Sequence, residues 1–248
     1  MLEVKNLAVK YGKKDILQNI NFKLTPHTIT VVIGKNGCGK STLVSCINGT
    51  TDYTGEINFN SQNIKLIDRK EKAKSIAILP QVLTAPHITT DELVSMGRNP
   101  YLDLGHHLTE TDKNAIENGF NTVGINELHG RYLDRLSGGE RQKAYLAMTL
   151  AQNTRLLVLD EPTTYMDMPF EHQFMRTLQT LKTVNKKTIL VVMHNLNTAV
   201  KYADNILVLN DGEQIFYGSK EECLERCAIE NTFGLRRFNA NDEIFFAE

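Results

Sequence analysis

The chain has 248 residues, of which 41% are hydrophobic and 23% charged, with no tryptophan and a formal net charge of −1. That length supports one large α/β domain or two small ones with a substantial core. The composition excludes a disordered chain, and the near-zero charge excludes a global pull toward nucleic acid or anionic lipid. The longest apolar runs, residues 156–159 and 189–193, are strand-sized, well short of the about 20 residues of a transmembrane helix. The segment MLEVKNLAVKYG lacks the apolar centre of a signal peptide. The chain is therefore expected to stay on the side of the membrane where it is made. Cys38, Cys46, Cys223 and Cys227 match no zinc spacing and are expected to be reduced structural thiols.

In chain order, alternation in LEVKNLAVKYG predicts a first strand, and INFKL and TITVVIG predict two more, split by Thr25-Pro26. A helix should run from Lys40 to about Asn48. GEINFN reads as a short exposed strand and SIAILPQ as a buried one. From Thr89 to about Asn126 the pattern is helical and polar, and Thr109 with Asp112 has the spacing of a helix cap. LLVLD is a buried strand, followed by a helix near 170–185, the strand TILVVMH, a helix near 197–203 and the strand NILVLN. Asp211-Gly212 is a hairpin turn leading into EQIFYG. The tail from Ser219 predicts a helix and then one short edge strand, FNANDEIFFA. Apolar strands alternating with helices imply an α/β fold with a parallel sheet covered on both faces. The stretch from about 85 to 150 lacks buried strands and reads as a helical insert. The domain boundaries expected are 1–220, carrying that insert, and 221–248 as an appendage.

Residues 34–41 read Gly34, Lys35, Asn36, Gly37, Cys38, Gly39, Lys40, Ser41, the GxxxxGK[ST] pattern of a P-loop, placed after a strand and before a helix as that motif requires. Glycines let the backbone curl so that successive N–H groups point at phosphate oxygens. The helix start adds positive potential, a role that extends through Thr42. Lys40 would reach the β- and γ-phosphates of ATP, and the Ser41 hydroxyl would bind Mg2+. The strand LLVLD ends in Asp160 and Glu161, and in open α/β sheets ligands bind at the carboxyl ends of strands. Asp160 is expected to hold Mg2+ and Glu161 to act as general base toward the attacking water.

A P-loop followed by an acidic strand end is shared by kinases, GTPases and motors. The discriminating segment is Leu136-Ser137-Gly138-Gly139-Glu140, a helix start in which Ser137 and Glu140 can form a capping box while two glycines leave the first N–H groups open to an anion. LSGGE resembles the signature motif of ABC ATPases, and the order of motifs matches that family over nearly all of residues 1–220. The resemblance implies a P-loop NTPase of the ABC type: a mixed, mostly parallel sheet with an antiparallel edge and a helical subdomain. It also implies a head-to-tail homodimer in which Ser137, Gly138 and Gly139 contact the γ-phosphate bound by the partner's P-loop.

Further positions carry over from the same resemblance. Tyr11 looks like the aromatic that stacks on adenine. Gln81 looks like the Q-loop glutamine, touching Mg2+ or the water and moving the helical insert. His194 looks like the switch histidine, and Asp167 like the D-loop aspartate that communicates across the dimer. The family pattern His-Asp is here His194-Asn195, which leaves the part played by Asn195 open. The strings GKNGCGKSTL, TTDELVSMGRNPYL, TTYMD and HNLNTAVKYAD resemble importers of ferric siderophores, haem and cobalamin. The family implies transmembrane permease subunits as partners, indirectly a substrate-binding protein, no nucleic acid, and a peripheral place at the cytoplasmic face of the membrane. Molybdate or zinc importers and exporters are the alternatives within transporters. A soluble cassette acting on nucleic acid or ribosomes usually has tandem cassettes or coiled-coil inserts, and this chain has neither. A P-loop kinase has no reason to carry LSGGE ahead of LLVLDEP.

Overall fold

The computed structural model describes residues 1–102, 107–164, 168–240 and 243–247. Two compact units are present, one of residues 1–67 and 182–248 and one of residues 68–181. The first begins with β1 (Leu2–Tyr11), β2 (Lys14–Lys23), β3 (Ile29–Gly34), α1 (Lys40–Asn48), β4 (Thr54–Phe59) and the two-residue β5 (Gln62–Asn63). β1 pairs antiparallel with both β2 and β4. Leu2, Val4, Leu7 and Val9 turn inward from β1 while Glu3, Lys5, Asn6 and Ala8 are less buried, the pattern of a sheet with one wet face, broken by an irregularity between Val4 and Leu7. β3 is buried at all six positions, as a strand covered on both sides must be.

The second unit holds α2 (Arg69–Ser75), β6 (Ile76–Leu79), α3 (Thr90–Met96), α4 (Glu110–Val123), α5 (Gly138–Ala151), β7 (Leu156–Asp160) and most of α6 (Met168–Thr183). β6 and β7 are parallel, in register from Ile76 opposite Leu156 to Leu79 opposite Leu159. Leu93, Val94, Phe120, Leu136 and Ala147 meet in one apolar cluster among α3, α4 and α5. Each of these three helices opens with a complete capping box: Thr89 with Glu92, Thr109 with Asp112, and Ser137 with Glu140. The predicted helical stretch is interrupted at Asn99-Pro100, where the chain makes a short 3-10 turn after α3. α2, which the sequence reading did not pick out, is capped by the Asp68 carboxylate, which accepts from the Lys70 and Glu71 N–H groups.

The first unit resumes with β8 (Thr188–Val192), α7 (Leu196–Tyr202), β9 (Asn205–Asn210) and β10 (Glu213–Ser219). β3 lies between β8 and β9 and parallel to both, with Val32 opposite Val192 on one side and Leu207 on the other. β9 turns into β10 at Asp211-Gly212, with φ of 47° and 82°, the left-handed pair of a tight hairpin. β10 meets β2 in parallel at Glu213 and Gln18, so the sheet of this unit has a parallel centre and an antiparallel margin. The tail differs from expectation. It forms two helices, α8 (Lys220–Glu225) and α9 (Ala228–Phe233), then a hairpin of β11 (Arg236–Ala240) and β12 (Glu243–Ala247) in place of one edge strand. The helices separate because Cys227 is left-handed, φ 51°. β12 is tied down by its Phe246 N–H, which donates to Asn197 Oδ1 at 2.9 Å. All four cysteines are free, and three are buried.

One polar network sits inside the second unit. Arg98 Nε donates to Asp112 at 2.8 Å with both side chains about 5% exposed, the Arg98 guanidinium also donates to the Ala151 carbonyl, and it stacks 3.8 Å from the Tyr101 ring. Removing one member of a buried pair strands the other, at about 3–5 kcal/mol. Arg98→Ala should therefore lower the urea midpoint by a corresponding amount. The hydroxyl of Thr109 and the guanidinium of Arg98 hold the Asp112 carboxyl below its ordinary value, so its contribution is complete above the usual carboxylate range and is lost as pH falls through the lowered value. The stability gap between the native chain and Asp112→Asn, read by urea unfolding at successive pH values, should close as acid protonates Asp112.

Candidate functional site

In the first unit, the loop between β3 and α1 is folded by close backbone approach. A Cβ on Gly34 would stand 2.3 Å from the Leu209 carbonyl oxygen and 2.6 Å from Cys38 Sγ, so only glycine fits where β3 meets the end of β9. Gly39 has φ of 102°, and a Cβ there would strike Leu17. The Lys40 ammonium curls back and donates to the Gly34 carbonyl at 2.8 Å and the Lys35 carbonyl at 3.1 Å. Lys35, Asn36 and Gly37 are exposed, Cys38 is buried, and Ser41 and Thr42 are partly exposed at the helix start. Burial pushes the Cys38 thiol up, which keeps it a neutral packing group. α1 starts at Gly39 without a side-chain cap and without an acidic residue in its first turn. A curled backbone, a lysine and an uncapped helix start are together the arrangement that accepts a phosphate chain.

Two other predicted positions belong to this unit. His194 follows β8, whose neighbour Met193 donates its N–H to the Val32 carbonyl at 3.1 Å; the histidine therefore leaves the sheet at the edge from which the loop leaves β3. Tyr11 ends β1, paired across to Lys14 and 56% exposed, on the strand beside the Ile16–Leu17 stretch that packs on Gly39. Asn195 caps α7, its Oδ1 accepting from the Thr198 N–H at 3.2 Å.

In the second unit, parallel β6 and β7 carry Gln81 and the pair Asp160 and Glu161 to one end. Gln81 Nε2 donates to Glu161 Oε2 at 2.6 Å. Asp160 and Glu161 are buried, and Glu161 turns out of the strand with φ of 50°, which is how two consecutive strand residues can serve one place. Thr164, which sequence reasoning missed, donates from its hydroxyl to the Glu161 carbonyl at 3.0 Å. The signal available for it was a hydroxyl three residues beyond Glu161 in a Pro-Thr-Thr turn. Ser137 and Gly138 are exposed at the start of α5. The Ser137 hydroxyl donates to Glu140 at 2.7 Å and accepts from the Glu140 N–H at 3.3 Å; the hydroxyl and N–H of Ser137 hold the Glu140 carboxyl below its ordinary value. A cavity of about 290 Å³ beside Gly138 is lined by Val82, Leu83, Arg141 and Gln142, so the chain after Gln81 adjoins the start of α5. Tyr145 of α5 donates to the Thr84 carbonyl at 3.1 Å. Asp167, Tyr165 and Met166 lie outside the described residues. Among the described residues no cluster of three or more His, Cys, Asp or Glu side chains could hold a metal ion, and no helix is long and apolar enough to cross a membrane.

Fold and loop define a P-loop nucleotide-binding α/β protein. The ABC transporter family matches residues 17–164. The petrobactin import ATP-binding protein FpuD of Bacillus anthracis is 37% identical over 98% of this chain and 90% of its own length. The ferric enterobactin transport ATP-binding protein FepC of Escherichia coli (strain K12) is 34% identical over 98% and 90%. Among solved structures, cbiO1 from Clostridium perfringens, part of the ABC transporter complex cbiONQ, is similar with a TM-score of 0.79 and 26% identity, covering 93% of this chain and 92% of that one. A dimeric bacterial ABC transporter cassette has the same fold, with a TM-score of 0.78 at 24% identity over 89% and 99%. The chain belongs to the ABC transporter family, as one of its ATP-binding, ATP-hydrolysing subunits.

Gly34→Ala forces a methyl group against a carbonyl oxygen that cannot yield without moving β9. Overpacking of this kind costs about 1–3 kcal/mol, which expressed at the loop is roughly a five- to 150-fold loss of nucleotide affinity. Titration of the variant with a fluorescent ATP analogue should show that loss.

Proposed function

We propose that this chain drives the import of an iron chelate, such as a ferric siderophore, as the peripheral ATPase bound to transmembrane permease subunits at the cytoplasmic face of the membrane. The observation that carries the reading is near-full-length similarity to ATP-binding proteins of petrobactin import and ferric enterobactin transport. The cargo itself is met by other subunits, including indirectly a substrate-binding protein.

The roles proposed for the chain's own residues follow from their chemistry. The backbone of residues 34–39 and Lys40 bind the phosphates of ATP, Tyr11 supplies a face for adenine, and Thr42 extends the phosphate contacts at the helix start. Ser41 and Asp160 offer hard oxygen donors suited to Mg2+, which takes one or two carboxylate or hydroxyl oxygens together with phosphate and water; when bound, the metal supplies charge neutralisation at the β- and γ-phosphates. Glu161 accepts the proton of the attacking water. His194 orients the terminal phosphate, and Gln81, hydrogen-bonded to Glu161, links the state of the base to the segment that follows it. Ser137, Gly138 and Gly139 complete the site of a second copy, and Asp167 communicates between copies; a solved cassette of the same fold is dimeric. A ligand drives closure only through stronger binding to the closed form, and a γ-phosphate held from both sides has that property.

Glu161→Gln should retain ATP binding, lose turnover by about 10²–10⁴-fold, and accumulate an ATP-bound dimer on size-exclusion chromatography. Normal hydrolysis by this variant would remove Glu161 as the base. The cargo is tested by reconstituting the chain with its permease in proteoliposomes. Ferric siderophore and its binding protein are expected to raise ATP turnover and to bring labelled iron across; stimulation by molybdate or zinc instead would reassign the importer.

A further inference from the structure

Glu161 holds a left-handed backbone, φ 50°, which residues other than glycine rarely adopt, and Pro162 after it restricts that backbone further. Such a conformation persists only where its surroundings over-determine it. One group that fixes it is Thr164. Its N–H lies 3.4 Å from the Glu161 carbonyl, its hydroxyl donates to that carbonyl at 3.0 Å, and the same hydroxyl stands 3.4 Å from Glu161 Oε2. Gln81 Nε2 donates to that same Oε2 at 2.6 Å.

We propose that Thr164 is a positioning residue for ATP hydrolysis. Its hydroxyl pins the peptide that bears Glu161 and so fixes where the carboxylate meets the attacking water; it acts through Glu161. The proposal rests on the reading of Glu161 as general base. Gln81 approaches the carboxylate alone, whereas Thr164 holds both ends of the residue. Because Thr164 is itself exposed, its replacement leaves the core intact.

The test measures ATPase kcat and KM together with nucleotide affinity on the full chain with its permease. Thr164→Val keeps the shape and removes the donor. It should lower kcat by roughly tenfold, less than loss of the base itself, with the affinity for a fluorescent ATP analogue unchanged. Thr164→Ser should restore kcat to within about twofold, since the hydroxyl returns without the methyl group. Thr164→Ala removes the hydroxyl with less bulk and should repeat the valine result. In a Glu161→Gln background, Thr164→Val should add no further loss, because groups acting through one another are not additive. Wild-type kcat in both Thr164→Val and Thr164→Ala, failure of serine to rescue, or a defect confined to nucleotide affinity would each overturn the proposal. Wild-type turnover by Glu161→Gln alone would overturn the base assignment beneath it; an inactive Glu161→Gln beside a fully active Thr164→Val removes Thr164 only.

Discussion

Parallel strands bring their carboxyl ends to one edge of a sheet, and in the first unit β9, β3 and β8 do so in continuous register. The chain leaves β3 into the phosphate-type loop and leaves β8 into His194 at that edge. The end of β9 supplies the Leu209 carbonyl against which Gly34 is packed. Slipping this pairing by one residue would turn every side chain of β3 to the other face and draw the Leu209 carbonyl away from Gly34. All of β3 and β8 is buried, so the hydrophobic effect holds the strands in the core, while the close approach of Gly34 to the Leu209 carbonyl ties the loop to one register. Stability and chemistry are set by the same pairs.

The two helix starts assigned to phosphate are built differently. α1 opens at a glycine with no side-chain cap and no acidic first-turn residue, and with a lysine as its first residue. α5 opens with Ser137 and Glu140 closed on each other, and the Glu140 carboxyl is held low by that contact, so a negative charge already lies in its first turn. An anion arriving there must draw the serine proton away from Glu140 and bear the nearby charge. In the proposed dimer this makes the α5 segment a weak holder by itself. It would contribute only to a phosphate already gripped by lysine and backbone from another copy, which is the property a nucleotide-controlled switch needs.

Much of this was legible in the sequence because it rests on short-range rules. The P-loop spacing, the Asp211-Gly212 turn and the Thr109 and Ser137 caps depend on residues at most a few positions apart. What could not be read depends on contacts distant along the chain. Gly34 is needed because of a carbonyl at residue 209. Thr164 matters through the left-handed backbone of Glu161, which no periodicity reports. At the end of the tail a hairpin stands where the sequence predicts one edge strand after a helix; the pairing of Phe238 with Phe245 that makes it a hairpin is a contact between residues seven positions apart, which the local pattern does not report. The part of Asn195, open in the sequence, is that of a helix cap, which an aspartate would also provide.

The string GRNPYL shows how likeness and function can part. Its Arg98 is buried against Asp112, the Ala151 carbonyl and Tyr101, and Tyr101 donates to the Gln152 carbonyl at 2.9 Å. These contacts tie the end of α3 to the start of α4 and the end of α5. Any chain that packs three helices in this way has reason to keep such residues, whatever its cargo. Similarity at Arg98 and Tyr101 therefore reports on how the second unit is framed. Information about a membrane partner can reside only in the exposed positions of the same stretch, because a buried guanidinium cannot be read by a protein outside.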